Sequence, residues 1–366
     1  MKHFKLRYLF ISLACVTVLA SCHKDKQEEV KDQPTAQRAG VYVLNQGQFP
    51  SGVGTLTYYD YTSKLLTADI FASANANKPL GTTPNDAKIY GSKLYIAVDL
   101  SGTVEVVNAK TAKSIKTLSF LTGTTSREPR SLAFYKSNAF VTLYDGNVVV
   151  IDTASLTVIK TIPVGRNPEQ MAVSNGKLYV ANGGGLTYTN VDKTVSVIDL
   201  TTLTVTKLIT VGDDPYAVSA DSYGNVYVNG YGCYACTVPT NASLSIINSA
   251  TDVVTKKTDF GPGPFTIVGD NAYYLSTSYA TGAAVTQVLI YNVKTQTNGS
   301  TNFITDGTTF TAAYALAVDD LTGEVFITDA KNYSSNGTLF AFDKTGKKEY
   351  TIATGVVPGT IVFVNK

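Results

Sequence analysis

The stretch PEQMAVSNGKLYVANGGGLTYTNVDKTVSVIDLTTLTVTKLITVGDD, residues 168–214, holds four short runs in which apolar and polar residues alternate. The runs cover residues 171–174, 177–181, 194–199 and 205–211. Such alternation is typical of half-buried antiparallel strands, and Asn175-Gly176 suits the positive φ angles of a tight hairpin. We therefore predict a four-stranded meander, which has two apolar faces and needs a copy of itself on either side.

Copies of this unit occur along the chain. The same opening recurs, with alanine once in the proline place, at Pro84, Pro129, Pro215, Pro264, Ala313 and Pro358. The openings at Pro84 and Pro358 lie six units apart, which gives a period of about 46 residues and matches the blades of a β-propeller. The repeat thus predicts a ring of blades.

The two ends of the chain each supply part of one blade. The opening at Pro358 has a single strand before the chain reaches Lys366, whereas residues 40–79 hold GVYVLN, GTLTYYD and LLTADIF, which read as strands two, three and four. We expect the C-terminal strand to complete the N-terminal blade, because this closes the ring without an open sheet edge. The predicted fold is an all-β, seven-bladed β-propeller of four-stranded antiparallel blades over residues 40–366.

Composition and charge exclude several function classes. The sequence is 44% hydrophobic and 16% charged, with 29 Gly and 23 Tyr among its 366 residues, as in an all-β protein. The formal charge of +2 becomes −1 without residues 1–21, which is too little positive charge for a nucleic-acid partner. Both histidines, His3 and His23, precede the predicted propeller. We therefore expect no His-based triad, general base or metal site in it.

The N-terminus carries a targeting signal. Basic residues precede the apolar run 8–18, which is followed by LASC at residues 19–22. The pattern is that of a signal peptide, too short to span a membrane. The LASC ending resembles a bacterial lipobox, and this resemblance implies cleavage before Cys22 and lipidation of that cysteine. A simple secretory signal with an incidental cysteine is the alternative. An Asp directly after the lipidated cysteine is the usual signal for retention in the inner membrane. His23 occupies that position here, so the resemblance favours placement in the outer membrane.

The chain between the anchor and the propeller is polar. Residues 23–39 are charged and lack apolar periodicity, which predicts a disordered tether. The expected organisation is a signal peptide at 1–21, a lipidated Cys22 with its tether at 22–39, and the propeller at 40–366. The expected location is the cell-surface side of the outer membrane, with the lipid as the membrane anchor.

Two cysteines remain in the propeller, Cys233 and Cys236. Such a CxxC pair can be a redox centre, half of a zinc site or a local disulfide. No other ligands for zinc are available, and no βαβ pattern of the thioredoxin kind surrounds the pair. An oxidising compartment favours a local disulfide that stiffens the loop.

The loops divide into a short set and a long set. The turns between strands one and two, such as residues 90–92, 175–176 and 269–271, are short and lie on one face. The long, irregular loops lie on the other face and cover residues 45–54, 182–193, 229–241, 276–286 and 329–337, with blade connections at 72–83 and 119–128. Long irregular loops in a compact domain are usually functional or disordered. The long-loop face is the expected binding face.

The long loops are rich in Tyr, Asn and Gln, whereas charged residues, among them Arg130, Glu169 and Asp214, are few. Tyrosine offers a large contact area with a polar tip, which suits a large, polar, mostly uncharged ligand such as a glycan or a decorated cofactor. The alternative is that Tyr and Asn are simply common in β-loops and have no role in ligand binding. The candidate ligand-binding residues are Gln46, Gln48, Phe49, Asp99, Arg127, Tyr144, Asn182, Tyr188, Asn190, Tyr231, Tyr234, Tyr279 and Tyr333. No catalytic residue, metal or cofactor is predicted.

Several segments resemble the YVTN-type repeat of YncE-like and surface-layer propellers. These are LYVAN at 178–182, TVSVID at 194–199, VYVN at 226–229 and GNVVVID at 146–152. The resemblance covers nearly all of residues 40–366 and is specific for fold rather than function. Taken with LASC and the opening GVYVLNQGQF, the chain resembles surface lipoprotein propellers of gut-type bacteria. Some of these capture vitamin B12 and pass it to a TonB-dependent outer-membrane transporter.

The leading interpretation is a non-enzymatic cell-surface lipoprotein that binds a small polar ligand. The resemblance implies a corrinoid as that ligand and a TonB-dependent transporter as the partner. One alternative is a structural or adhesive surface protein that binds protein or glycan on a flatter face. Another is an enzyme of the lyase or lactonase type, which would need charged loop residues that converge on the channel with perturbed pKa values.

Overall fold

The computed structural model describes residues 37–366 except 186, 262, 264 and 279–284. Seven four-stranded antiparallel sheets surround a central channel in this part of the chain. The first strand of each sheet contacts the first strand of the next, and these contacts continue around the full circle. The predicted seven-bladed propeller is therefore confirmed.

Blades 1 to 3 follow the repeat in the sequence. Blade 1 contains β1 (Arg38–Asn45), β2 (Thr55–Asp60) and β3 (Leu66–Thr67), and helix α1 (Ile70–Ala74) follows it. Blade 2 contains β4 (Pro84–Tyr90), β5 (Lys93–Val98), β6 (Thr103–Asn108) and β7 (Ser114–Ser119). A small hairpin of β8 (Leu121–Thr122) and β9 (Thr125–Ser126) comes next. Blade 3 contains β10 (Pro129–Tyr135), β11 (Asn138–Leu143), β12 (Asn147–Asp152) and β13 (Thr157–Pro163).

Blades 4 to 7 repeat the same order from an inner to an outer strand. Blade 4 contains β14 (Pro168–Ser174), β15 (Lys177–Asn182), β16 (Thr194–Asp199) and β17 (Thr204–Thr210). Blade 5 contains β18 (Pro215–Ala220), β19 (Asn225–Gly230), β20 (Ser243–Asn248) and β21 (Val253–Asp259). Blade 6 contains β22 (Phe265–Val268), β23 (Asn271–Ser278), β24 (Val285–Asn292) and β25 (Thr297–Asn298). Blade 7 contains β26 (Ala313–Val318), β27 (Val325–Asp329), β28 (Asn336–Phe342) and β29 (Lys348–Val356).

The C-terminal strand closes the ring. β30 (Pro358–Asn365) pairs antiparallel with β1 and becomes the inner strand of blade 1, as the sequence predicted. The guanidinium of Arg38 lies 2.8 Å from the Asp319 carboxylate in the first turn of blade 7. The strand β1 is paired on both edges, with β2 on one side and with β30 on the other.

The hydrophobic core lies between the blades rather than at the channel. The described residues form seven clusters of buried apolar side chains, one at each interface between neighbouring blades. At the interface of blades 4 and 5, for example, Tyr179 and Val197 belong to the same cluster as Val226 and Val228. The middle strands are buried on both faces, because each blade covers its neighbours.

The turns use the local chemistry that the sequence indicated. Asn175 and Gly176 both have positive φ, as a tight hairpin between β14 and β15 requires. In every blade an Asp or Asn at the end of the third strand accepts hydrogen bonds from backbone amides two or three residues later. We call these residues the corner residues: Asp60, Asn108, Asp152, Asp199, Asn248, Asn292 and Asp343.

One strand prediction was wrong in part. LLTADIF was expected to be the outer strand of blade 1, but only Leu66–Thr67 is a strand, and α1 starts at Ile70. The Asp69 side chain accepts a hydrogen bond from the Ala72 amide at 3.1 Å and so caps the helix. The helix buries Phe71 in the cluster between blades 1 and 2.

The predicted signal peptide, Cys22 and most of the tether lie outside the described residues. Within the described part, no helix has the length and hydropathy that a membrane crossing requires.

Candidate ligand-binding site

Two adjoining cavities open at the end of the channel on the long-loop face. Their volumes are about 650 and about 700 Å³, within the range of small-molecule sites. Both are lined by Gln46, Asn85, Arg130, Tyr144, Tyr188 and Tyr314. We call the lining of these two cavities the channel mouth.

Two positions of the blade repeat supply much of this lining. The residue that follows the opening proline or alanine of the inner strand lines the 650 Å³ cavity in six blades: Asn85, Arg130, Glu169, Tyr216, Tyr314 and Gly359. The residue directly after the second strand contributes Gln46, Asp99, Tyr144 and Tyr231 to one cavity or the other. The backbone repeats around the ring, but the side chains at these two positions differ in charge and size, so the site is asymmetric.

A tight turn brings the chain into most inner strands. The residue before the opening proline has a positive φ at Thr83, Glu128, Asn167, Asp214 and Val357. This conformation is uncommon for residues other than glycine and costs about 1 kcal/mol or more for β-branched ones. It places Glu128 and Asp214 in the channel mouth.

Arg130 is the centre of an ionic cluster that joins three blades. Its Nη1 lies 2.6 Å from Oδ2 of Asp99 in the loop after β5, and its Nη2 lies 3.3 Å from Oε2 of Glu169 on β14. The guanidinium stacks on Tyr144, 4.4 Å from the ring centroid. The Tyr144 hydroxyl in turn donates to Glu169. Blades 2, 3 and 4 are thus held together at the channel mouth.

The ionisation of this cluster follows from burial and from mutual charge. Burial raises the pKa of both Asp99 and Glu169, and the Arg130 charge offsets part of this rise. Burial acts to lower the pKa of Arg130, but Glu169 and Asp99 outweigh it and raise the pKa, so the guanidinium stays charged. Oδ1 of Asp99 is buried and has no hydrogen-bond partner among the described residues.

Asp214 is a carboxylate of the channel mouth that has no ion-pair partner within the described residues. Burial, Glu169 and Asp213 together raise its pKa to about 6. In the described part of the chain, no group donates a hydrogen bond to its carboxylate. Gly183 leaves room for it, because a Cβ there would lie 2.9 Å from Oδ1 of Asp214. The carboxylate therefore has free acceptor capacity.

Tyrosine rings form most of the remaining wall. Tyr216 and Tyr231 stack with ring centroids 3.8 Å apart, while Tyr188 and Tyr234 lie 6.3 Å apart. Burial raises the pKa of Tyr216, Tyr231 and Tyr314. These phenols are therefore neutral near pH 7 and can donate or accept hydrogen bonds.

The loop after β19 carries two of these rings. Cys233 and Cys236 form a disulfide in it, with Cα atoms 5.5 Å apart, which is the local pairing that the sequence favoured. The Cys233 amide also donates to Oγ1 of Thr240 at 2.9 Å. Tyr234 lies within the short loop that the disulfide closes, and Tyr231 lies two residues before Cys233, so the disulfide restrains the segment that carries both rings.

Most of the sequence-predicted residues meet at the channel mouth. The lining includes Gln46, Gln48, Phe49, Asp99, Tyr144, Tyr188, Tyr231, Tyr234 and Tyr333. Arg127 instead pairs with Asp145 at 2.6 Å, and Asn190 lies outside both linings. Asn182 is fully buried, and its amide donates to Oγ1 of Thr194 within blade 4, so it has no access to a ligand. Tyr279 lies outside the described residues.

Sequence reasoning missed several lining residues. Asn85, Tyr216 and Tyr314 lie on inner strands, whereas the predictions were taken from loops. The signal was present, because each follows the opening proline or its alanine equivalent. In the described residues, no group of three or more His, Cys, Asp or Glu side chains could hold a metal ion.

The fold and cavity define a β-propeller with a small-molecule-sized pocket at one end of its channel. The chain belongs to the family of the DUF5074 domain, a domain of unknown function, whose model matches residues 39–363. No curated protein matches the sequence.

Solved structures share the propeller fold at low sequence identity. A quinoprotein alcohol dehydrogenase-like protein from Bacteroides thetaiotaomicron has a TM-score of 0.61 and 19% identity, covering 89% of this chain and 78% of that chain. Hydrazine synthase from Kuenenia stuttgartiensis has a TM-score of 0.58 and 17% identity, covering 70% and 76%. The computationally designed Ika8 protein has a TM-score of 0.55 and 12% identity, covering 88% and 90%. Such identities support the fold alone.

Proposed function

We propose that this chain is a non-enzymatic cell-surface lipoprotein that binds a small polar ligand at the channel mouth, and that a corrinoid is the first ligand to test. The observation that carries the proposal is the tyrosine-lined cavity of about 650 Å³ on the long-loop face. A flat adhesive face would lack such a concavity, whereas a ligand trap needs one to bury most of its ligand.

The chemistry of the lining supports binding rather than turnover. Arg130 forms ion pairs with Asp99 and Glu169 in this lining, and these pairs hold neighbouring blades together. Tyrosine rings and the amides of Gln46 and Asn85 offer apolar area with neutral donors and acceptors. A corrinoid combines a wide macrocycle with many amide side chains, which suits such a wall.

The corrinoid proposal is tested by calorimetric titration of the propeller, residues 40–366, with cyanocobalamin. We expect saturable one-to-one binding. An absence of heat at micromolar protein would reject the corrinoid, and a glycan array would then test the broader proposal of a polar ligand.

The surface location and the transporter partner are proposed from the N-terminal sequence. LASC at residues 19–22 supports lipidation of Cys22. We expect Cys22→Ala to move the protein from the membrane fraction to the soluble fraction, while surface protease treatment of whole cells should cleave the wild type. Co-purification with a TonB-dependent transporter from the outer membrane would support the proposed partner.

One observation favours an enzyme as the second candidate. Charged residues converge at the channel mouth, and the pKa of Asp214 is raised to about 6, in the range of a general base. A lyase or lactonase would use this carboxylate to remove a proton from the substrate. Turnover in a screen of lactones and uronate polysaccharides that is lost in Asp214→Asn, but kept in Asp145→Asn, would establish this alternative over simple binding.

A further inference from the structure

We propose that the part of the channel mouth formed by Asp214, Tyr216 and Tyr231 accepts a cationic group of the ligand, in chemical class an ammonium. The inference rests on the proposed function only in taking the channel mouth as the binding site. It names the chemistry of a ligand group and does not depend on the corrinoid.

The charges around the 650 Å³ cavity leave an excess of negative charge. Its charged lining residues are Asp86, Arg130, Glu169 and Asp214. Asp86 has a partner in Lys88, whose Nζ lies 3.4 Å from Oδ2. Arg130 is shared between Glu169 and Asp99, so one negative charge remains in that group, and Asp214 adds a second. A cation would be attracted to this wall, and an anion would be repelled.

A second observation extends the unpaired negative charge to the adjoining cavity. Asp99 is only 5% exposed and lines the adjoining cavity, yet its Oδ1 has no hydrogen-bond partner among the described residues. Buried carboxylate oxygens are normally satisfied by donors. Asp99 and Asp214 thus both have unused acceptor capacity at the channel mouth.

The aromatic rings beside Asp214 suit a cation as well. Tyr216 and Tyr231 stack at 3.8 Å, and Tyr231 is 48% exposed, so part of this pair remains open to a ligand. The face of a tyrosine ring is negative and attracts ammonium groups, most strongly where water is excluded. A carboxylate together with aromatic faces is the arrangement that recognises alkylated ammonium ions.

The charge state of the wall depends on pH. Asp214 lies near Glu169 of the neighbouring blade 4 and beside Asp213, and its charge acts on the phenols of Tyr216 and Tyr231. Its raised pKa of about 6 means that the carboxylate is largely protonated below that pH and ionised above it. Affinity for a cation should therefore rise as the pH increases through about 6.

The test compares choline with 3,3-dimethylbutan-1-ol, a neutral molecule of the same shape, by titration of the full chain followed by NMR. We expect choline to bind about tenfold more tightly than the alcohol. Asp214→Asn should weaken choline about tenfold, remove most of its pH dependence and leave the alcohol unchanged. Asp145→Asn is the matched control, because it removes one carboxylate on the same face outside the cavities.

A second variant tests the inference in a way that does not depend on whether Asp214→Asn folds. Tyr231→Leu removes a half-exposed ring and should weaken choline several-fold, whereas Tyr223→Leu, a comparably exposed tyrosine on the opposite face, should not. Equal binding of choline and the alcohol, or an absence of saturable choline binding, would overturn the inference.

The outcomes separate this inference from the proposed function. If cyanocobalamin binds at the channel mouth but choline shows no preference over the alcohol, the ammonium site is wrong and the corrinoid proposal stands. If choline binds in an Asp214-dependent way and cyanocobalamin does not bind, the corrinoid is wrong and the ammonium site stands.

Discussion

At the scale of single residues, Arg130 has the largest structural role at the channel mouth. One guanidinium contacts Asp99 from blade 2, Glu169 from blade 4 and the Tyr144 ring of its own blade. These groups are mostly buried, so the removal of Arg130 would leave two carboxylates without their partner in a poorly hydrated place. The loss of one partner of a buried ion pair is far more damaging than the loss of an exposed one.

We expect Arg130→Ala to lower the free energy of unfolding by about 3 kcal/mol or more, measured by denaturant titration. The control is Arg127→Ala, which breaks the more exposed pair with Asp145 on the same face and should cost less than about 1 kcal/mol. Equal losses in the two variants would show that Arg130 does not hold the blades together.

At the scale of elements, the corner residues fix the turn that leads to the outer strand. The Asp199 carboxylate accepts hydrogen bonds from the amides of Thr201 and Thr202, both at 2.8 Å. These backbone hydrogen bonds lower its pKa. Asn108 and Asn248 fill the same place in blades 2 and 5, which indicates that the acceptor oxygen matters more than the charge.

We expect Asp199→Ala to lower the melting temperature at pH 7, while Asp199→Asn should stay close to the wild type because it keeps an acceptor. The folded-state pKa of Asp199 is below its unfolded value, so its contribution is present above the unfolded pKa and is lost as the pH falls through the folded one. The gap between wild type and Asp199→Ala should therefore narrow below about pH 4. A gap that is unchanged in acid would contradict this account.

At the scale of the whole molecule, stability depends on a closed ring. Each blade buries its faces only against its two neighbours, and β30 supplies the inner strand that joins blade 1 to blades 2 and 7. Without β30, the inner edge of β1 would be open and the ring would lack one of its inner strands.

We expect a chain that ends at residue 357 to lose cooperative thermal unfolding and to self-associate, as measured by circular dichroism and size-exclusion chromatography. Removal of residues 1–36 should leave both properties unchanged, because the described sheets begin at Arg38. A monomeric truncated protein with the wild-type melting temperature would show that closure by β30 is dispensable.

The fold could be predicted from the sequence because a blade is specified locally. Alternating apolar residues, Asn175-Gly176 and the repeated opening at Pro84 through Pro358 indicate strands, turns and period without any long-range information. Helix α1 was not predicted because its stability depends on the burial of Phe71 between two blades. No local sequence pattern reveals that burial.

The site could be predicted only in part, for a related reason. Loop tyrosines such as Tyr188 and Tyr231 stood out by composition, and the structure brings both to the channel mouth. The contact of Arg130 with Glu169 joins residues 39 apart in sequence, and it exists only because neighbouring inner strands converge at the channel. Residues on those strands, such as Tyr216, look like ordinary strand residues until the ring is closed.

If the ligand binds at the channel mouth, two tyrosine variants that are matched in exposure should differ in affinity. Tyr231 and Tyr223 are 48% and 47% exposed, but Tyr231 lines the channel mouth and Tyr223 lies in a turn on the opposite face. In calorimetric titration with cyanocobalamin, we expect Tyr231→Ala to weaken binding at least about tenfold and Tyr223→Ala to leave it unchanged. Equal affinities in the two variants would contradict the account.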